Sequence, residues 1–111
     1  MLKIIDDFDL KGLEKLGFQR VEFRKMFSDY VRSYQYEVKT FNDIADYHLL
    51  MQTDTIIIHD EDSVDYKGKI QIIIQDHSRV NFGDKIVGMA EETMSKLFDL
   101  IQAGIVEKVE E

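Results

Sequence analysis

Isoleucine at alternate positions is the feature that most limits what this chain can fold into. The run Lys69–Asp76 alternates isoleucine with glutamine, apart from one further isoleucine at position 73. A period of two places the alternating isoleucines on one face of a strand and the glutamines on the other. A strand with one apolar and one polar face is typical of an antiparallel sheet, whose apolar face another element must cover. We therefore expect an antiparallel sheet that is buried on one side.

Two further strands are expected immediately before this one. The runs His48–Gln52 and Thr55–Asp60 are rich in apolar and β-branched residues. Thr53 and Asp54 separate them and are residue types found in turns. The sequence therefore predicts two short strands joined at a Thr53-Asp54 turn.

The segment from Arg20 to Tyr34 fits two structures. Its aromatic and apolar residues recur at spacings of three and four, which fits a helix. The same segment also reads as two β-favouring runs on either side of a turn at Ser28 and Asp29. The period of two that continues from Tyr34 to Lys39 supports strands. We favour a hairpin and keep a helix as the alternative.

A short helix is expected near the start of the chain, from Phe8 to Leu16. Its leucines are spaced by three residues, and Gly17 follows at a position suited to a left-handed helix ending.

A longer amphipathic helix is expected from about Lys85 to Ala103, with Asp84 as its N-cap and Gly104 just beyond its end. Its apolar residues form one stripe at helical spacing. They are Val87, Ala90, Met94, Leu97, Phe98 and Ile101. The predicted fold is a single α+β domain over residues 1–111. It has an antiparallel sheet of about five strands, a short N-terminal helix and a longer C-terminal amphipathic helix packed on one face.

The charge and composition exclude several classes of protein. There are 22 acidic and 14 basic residues, a formal net charge of −8, and no cysteine. Nucleic acids and anionic membranes attract basic surfaces, so we expect no direct binding to either. The lack of cysteine excludes disulfides and thiolate metal sites and suits a reducing cytoplasm. No apolar run is long enough to cross a membrane, and the first twelve residues lack the pattern of a signal peptide.

The central part of the chain is strongly acidic. Between Thr40 and Tyr66 there is no Lys or Arg, while seven acids fall there. The densest group is Asp60, Glu61, Asp62 and Asp65, which we call the acidic segment. Such a segment is suited to binding a basic protein, including a protein whose groove normally holds a phosphate backbone. The alternative is a solvated loop that keeps the protein soluble.

No arrangement of residues predicts a metal site or an active site. The acidic segment does not have the spacing of an EF-hand. Glu37-Val38-Lys39 resembles the E-x-K element of one nuclease class, with Asp29 as a conceivable third residue. The three histidines match no metal-binding or catalytic pattern. We therefore predict no cofactor, favour a non-enzymatic role, and keep a metal-dependent nuclease as an alternative.

Two segments near the ends of the chain have recognisable sequences, the helix-to-strand entry LEKLGF at residues 13–18 and the ending LFDLIQAGIVEKV at residues 97–109. In both segments the chain resembles small uncharacterised proteins of phages and prophages of Gram-positive bacteria. The resemblance implies a mobile-element origin and a cytoplasmic location in a bacterium, and it supplies no catalytic residue. We therefore predict a non-enzymatic interaction protein whose acidic segment binds a basic protein, for example a host nucleic-acid-processing protein. A self-associating structural protein is a further alternative.

Overall fold

Two antiparallel sheets and one α-helix make up the fold in the computed structural model, which describes residues 1–24, 30–44, 47–60, 67–76 and 89–109. A 3₁₀ helix over Leu10–Leu16 follows the first strand. The strands are β1 (Leu2–Ile4), β2 (Gln19–Arg24), β3 (Tyr30–Ile44), β4 (Tyr47–His59), β5 (Ile70–Asp76) and β6 (Val106–Lys108). Helix α1 spans Glu91–Gln102. The predicted α+β class is confirmed, and the strands of the described residues form a sheet of four and a sheet of two in place of one sheet of about five.

The larger sheet has the order β2-β3-β4-β5, and every neighbouring pair is antiparallel. The pairing of β2 with β3, in which Arg20 lies opposite Tyr34, confirms the hairpin and excludes the helix for this segment. The turn predicted at Ser28 and Asp29 lies outside the described residues. The strand predicted at Lys69–Asp76 is confirmed as β5.

The turn predicted at Thr53 and Asp54 is wrong. Both residues lie inside β4, which runs without a break and pairs with β3 on one side and β5 on the other. Asp54 lies opposite Val38 and Ile74. A carboxylate is unfavourable in a central strand unless it finds partners, and Asp54 finds them in β4 and at the start of α1.

The core lies on one face of the larger sheet. In β3 and β4 it is formed by every second residue, as the period of a strand requires. The 3₁₀ helix and the C-terminal region supply most of the remaining buried side chains. The buried cluster is Ile4, Leu10, Leu13, Phe18, Tyr34, Ile56, Ile58, Leu100 and Ile105.

The predicted N-terminal helix is present as the 3₁₀ helix, which begins two residues later than expected, at Leu10. Asp9 precedes it and accepts a hydrogen bond from the Lys11 backbone N–H at 3.1 Å, so it acts as the N-cap. Gly17 ends the helix with φ of 92°, as predicted from the sequence. A residue with a Cβ is strained in this left-handed conformation, which explains the glycine.

The smaller sheet pairs β1 with β6 and joins the two ends of the described chain. It is linked to the larger sheet by a bridge between Lys3 and Lys69 and by the hydrogen bond from the Ile4 N–H to the Gly68 carbonyl, at 2.8 Å. The first strand and the last strand therefore close the fold beside the beginning of β5.

Helix α1 is shorter than predicted. Met89 and Ala90 are not helical, and the N-cap is Ala90 in place of the predicted Asp84, which lies outside the described residues together with Val87. No helix among the described residues is long and apolar enough to cross a membrane.

The buried face of α1 also differs from the predicted apolar stripe. The side chains of Thr93 and Leu100 are buried, and Leu97 is partly buried against the core. These three residues are spaced by four and three positions, so they share one face of the helix. Leu97 is a member of the predicted stripe, and its position facing the core is confirmed. Three other members point outward, so the helix is rotated relative to the orientation that hydrophobic spacing predicts; they are Met94, Phe98 and Ile101.

Candidate functional site

A cleft of about 390 Å³ lies where the first loop of the chain meets the end of β4. Its walls carry charges of both signs beside a few apolar and aromatic groups. The acidic residues are Asp6, Asp7, Asp9 and Asp60, and the basic residues are Lys11, Arg20 and Lys67. The cleft therefore brings residues from the acidic run at 6–9 next to the first residue of the acidic segment.

Arg20 is the most constrained cation of this cleft. Its Nε donates a hydrogen bond to Glu22 Oε1 at 2.6 Å, and its Nη1 donates one to the Tyr34 hydroxyl at 3.0 Å. The same Nη1 lies 3.6 Å from Oδ2 of Asp60. The hydrogen bond to Glu22, followed by the one to Tyr34, raises the pKa of Arg20. Arg20 is thus a positive charge held by Glu22 and Tyr34 beside the carboxylate of Asp60.

Asp60 is held in place by its backbone as well as its side chain. Its N–H donates to the Arg32 carbonyl at 3.0 Å, and its side chain is 20% exposed. Asp60 therefore turns towards Arg20 instead of standing free in solvent. The other residues of the acidic segment, Glu61, Asp62 and Asp65, lie outside the described residues.

The acids at positions 6–9 also line the cleft, which the sequence alone did not predict. The signal was present as three aspartates within four residues. The Lys3 ammonium donates a hydrogen bond to Asp6 Oδ1 at 2.9 Å, which lowers the pKa of that carboxyl. Asp9 caps the 3₁₀ helix. Sequence separation of about fifty residues hid their proximity to Asp60.

The residues proposed for a nuclease centre form an ordinary surface pair. Glu37 and Lys39 share the outer face of β3, as expected for a strand, and Lys39 Nζ lies 3.4 Å from Glu37 Oε1. Asp29 lies outside the described residues. The part of the chain that the structure describes contains no group of three or more His, Asp or Glu side chains placed to hold a metal.

Asp54 is a buried carboxylate that connects the sheet to α1. Its Oδ2 accepts hydrogen bonds from the Ala90 N–H at 2.7 Å and from the Thr93 hydroxyl at 2.8 Å. Its Oδ1 accepts one from the Gln52 amide at 2.6 Å. Burial acts to raise the pKa of Asp54, but the hydrogen bonds from Ala90, Gln52 and Thr93 together bring it below the ordinary value. Asp54 is therefore a charged anchor for the beginning of α1.

The outward face of α1 is a second feature of the surface. Met94, Phe98 and Ile101 are 56%, 58% and 49% exposed. They recur at intervals of four and three residues, so they form one row along the helix, which we call the α1 stripe. Glu91 lies one turn before Met94, and Asp99 lies on the adjoining exposed side of the helix.

The basic side chain of α1 lies on the side of the helix that faces the core. Lys96 is the only base between residues 89 and 103. Its ammonium lies 4.8 Å from the centre of the Tyr36 ring and 5.9 Å from that of Phe18, in the range of cation–π contacts. The outward surface of the helix is therefore apolar and acidic.

Comparisons of the chain with protein-family models, with curated proteins and with solved structures find no match. The resemblance to phage proteins therefore stays a prediction.

Proposed function

We propose that this protein is a non-enzymatic interaction module whose acidic segment binds a basic surface of another protein. The observation that carries the proposal is that the first residue of the acidic segment lies beside the acidic run at positions 6–9. Asp60, where the acidic segment begins, lines the same cleft as Asp6, Asp7 and Asp9. The four carboxylates of this cleft outnumber its three basic side chains, so the net charge of its lining is negative and favours a basic partner.

The cleft also indicates how the carboxylates would contribute to binding a partner. Asp60 is already engaged by Arg20, so a partner's Arg or Lys would have to compete for it. We assign the larger share of the attraction to Glu61, Asp62 and Asp65, the three acids that follow Asp60 in the acidic segment. A natural partner is a protein that handles nucleic acid, since its binding surface is built to receive negative charges. The proposal includes a cytoplasmic location and a mobile-element origin, which are supported by the composition and by the terminal resemblance.

We expect neutralisation of the acidic segment to abolish salt-sensitive capture of the partner. The variant Asp60→Asn, Glu61→Gln, Asp62→Asn, Asp65→Asn removes the carboxylates with little change of shape. The tagged chain would be used to capture proteins from a Gram-positive lysate at about 50 and about 300 mM salt, since exposed charges are screened at the higher value. The wild type should retain a basic protein at low salt, and the variant should retain at least about tenfold less.

A matched control separates the segment from the overall charge. Changing Glu14, Glu37, Glu107 and Glu110 to Gln removes the same four charges from the net charge of −8. This control should capture the partner as the wild type does. Equal capture by the wild type and the acidic-segment variant, or equal losses in both variants, would contradict the proposed role of the segment.

A further inference from the structure

The α1 stripe is a row of large apolar side chains that the described core does not use. The core-facing side of the helix is formed by Thr93, Leu97 and Leu100. Met94 and Ile101 are seven positions apart, so the stripe extends for about 10 Å along the helix. Single exposed apolar residues are common on protein surfaces, but a contiguous row is typical of an interaction site.

The charges around the stripe indicate what kind of partner it suits. Glu91, Glu92 and Asp99 are exposed on the same helix. Lys96, the helix's only base, is turned towards Phe18 and Tyr36. A second copy of the chain packed on this face would bring acidic residues against acidic residues, which opposes association. A partner with positive charges beside its apolar groups meets no such repulsion.

We infer that the α1 stripe docks an amphipathic helical segment of a basic protein. The apolar side of the segment would cover Met94, Phe98 and Ile101, and its Lys or Arg side chains would pair with Glu91 and Asp99. Helices pack on one another through such rows of side chains spaced by three and four residues. Phe98, as the aromatic member, would contribute most to the affinity. The inference rests on the proposed function in one respect, that the partner is basic.

The test uses synthetic peptides in place of the unidentified partner. A labelled helix-forming peptide with Leu at positions i, i+3, i+4 and i+7 and Lys elsewhere would be titrated with the full chain and followed by fluorescence anisotropy. Two reference peptides have the same Leu and Lys content in scrambled order, or Glu in place of Lys. We expect the wild type to bind the ordered Leu/Lys peptide at least about tenfold more tightly than either reference peptide.

The decisive variant is Met94→Ser, Phe98→Ser, Ile101→Ser. These side chains are exposed, so we expect the variant to keep its fold, which circular dichroism would check. It should bind the ordered peptide at least about tenfold more weakly than the wild type. The control Ile73→Thr changes another partly exposed isoleucine, in β5, and should leave binding unchanged.

Three results would overturn the inference. They are unchanged peptide binding by the stripe variant, equal binding of the ordered and scrambled peptides, and a wild-type dimer in sedimentation equilibrium that the stripe variant converts to monomer. The last result would identify a second copy as the occupant. The stripe variant is also used in the lysate assay, which separates this inference from the proposed function. Capture that is lost in the acidic-segment variant and kept in the stripe variant would leave the proposed function standing and reject the stripe as part of the interface.

Discussion

Replacing Asp54 by alanine is expected to lower the free energy of unfolding by about 3 kcal/mol. The carboxylate accepts hydrogen bonds from the Gln52 amide, the Ala90 N–H and the Thr93 hydroxyl. Its removal leaves these donors without their acceptor in a buried place, and a donor that loses its partner there costs more than an average hydrogen bond contributes. Urea unfolding followed by circular dichroism measures the change.

The control for this variant is Asp6→Ala, which removes an exposed carboxylate paired with Lys3. It should change the free energy of unfolding by less than about 0.5 kcal/mol. A similarly small change for Asp54→Ala would mean that the link between β4 and α1 does not stabilise the fold.

The stabilisation by Asp54 should also depend on pH. Because the folded protein lowers the pKa of Asp54, the charged form contributes stability that is present above the ordinary pKa of about 4. This contribution is lost as the pH falls through the lower pKa of the folded state. The difference in stability between the wild type and Asp54→Asn should therefore be constant above about pH 5 and shrink below about pH 4. A difference that grows with acidity would contradict this assignment.

Adjacent residues of α1 should respond very differently to truncation. Leu100 is fully buried in the core cluster, so Leu100→Ala is expected to lower the free energy of unfolding by about 3 kcal/mol. Ile101 is half exposed, and alanine favours a helix more than isoleucine does. Ile101→Ala should therefore change the stability by less than about 0.5 kcal/mol. Urea unfolding of both variants measures the contrast, and a larger loss for Ile101→Ala would reverse the orientation given for the helix.

Local patterns were sufficient to predict much of the sheet. In β5, the alternation of isoleucine and glutamine has one interpretation, and the aromatic and β-branched residues on either side of position 28 favoured the hairpin. The helix ending at Gly17 could likewise be predicted, because the left-handed conformation there suits glycine. Each of these features depends on residues close together in the sequence.

The orientation of α1 could not be predicted in this way. The predicted row contains Leu97 together with Met94, Phe98 and Ile101, and of these four only Leu97 packs against the core. The inward row instead passes through Thr93, Leu97 and Leu100, at the same spacings of three and four. Periodicity favours the more apolar row. The structure places the other row inward because Asp54, on a distant strand, bonds to Ala90 and Thr93 at the beginning of the helix.

The same long-range contact explains the wrong turn prediction at Asp54, because an aspartate after a threonine is typical of a turn when its partners are unknown.

Prediction of the candidate site from the sequence was limited in the same way. The acidic segment could be recognised as a run, but the proximity of Asp60 to Asp6, Asp7 and Asp9 depends on how β4 and the first loop meet. Tertiary contacts of this kind leave no periodic signal in a single sequence.

The most direct test of the account is to measure which face of α1 is accessible in the native protein. The chain has no cysteine, so single cysteines can be introduced by Met94→Cys, Phe98→Cys and Leu100→Cys and their reaction with a thiol reagent timed. Cysteines at 94 and 98 should react within about tenfold of their rates in urea, while the one at 100 should be slower by at least about a hundredfold, because it reacts only after unfolding. Protection at 98 equal to that at 100 would show that the α1 stripe is already covered within the chain and would contradict its role as a docking surface.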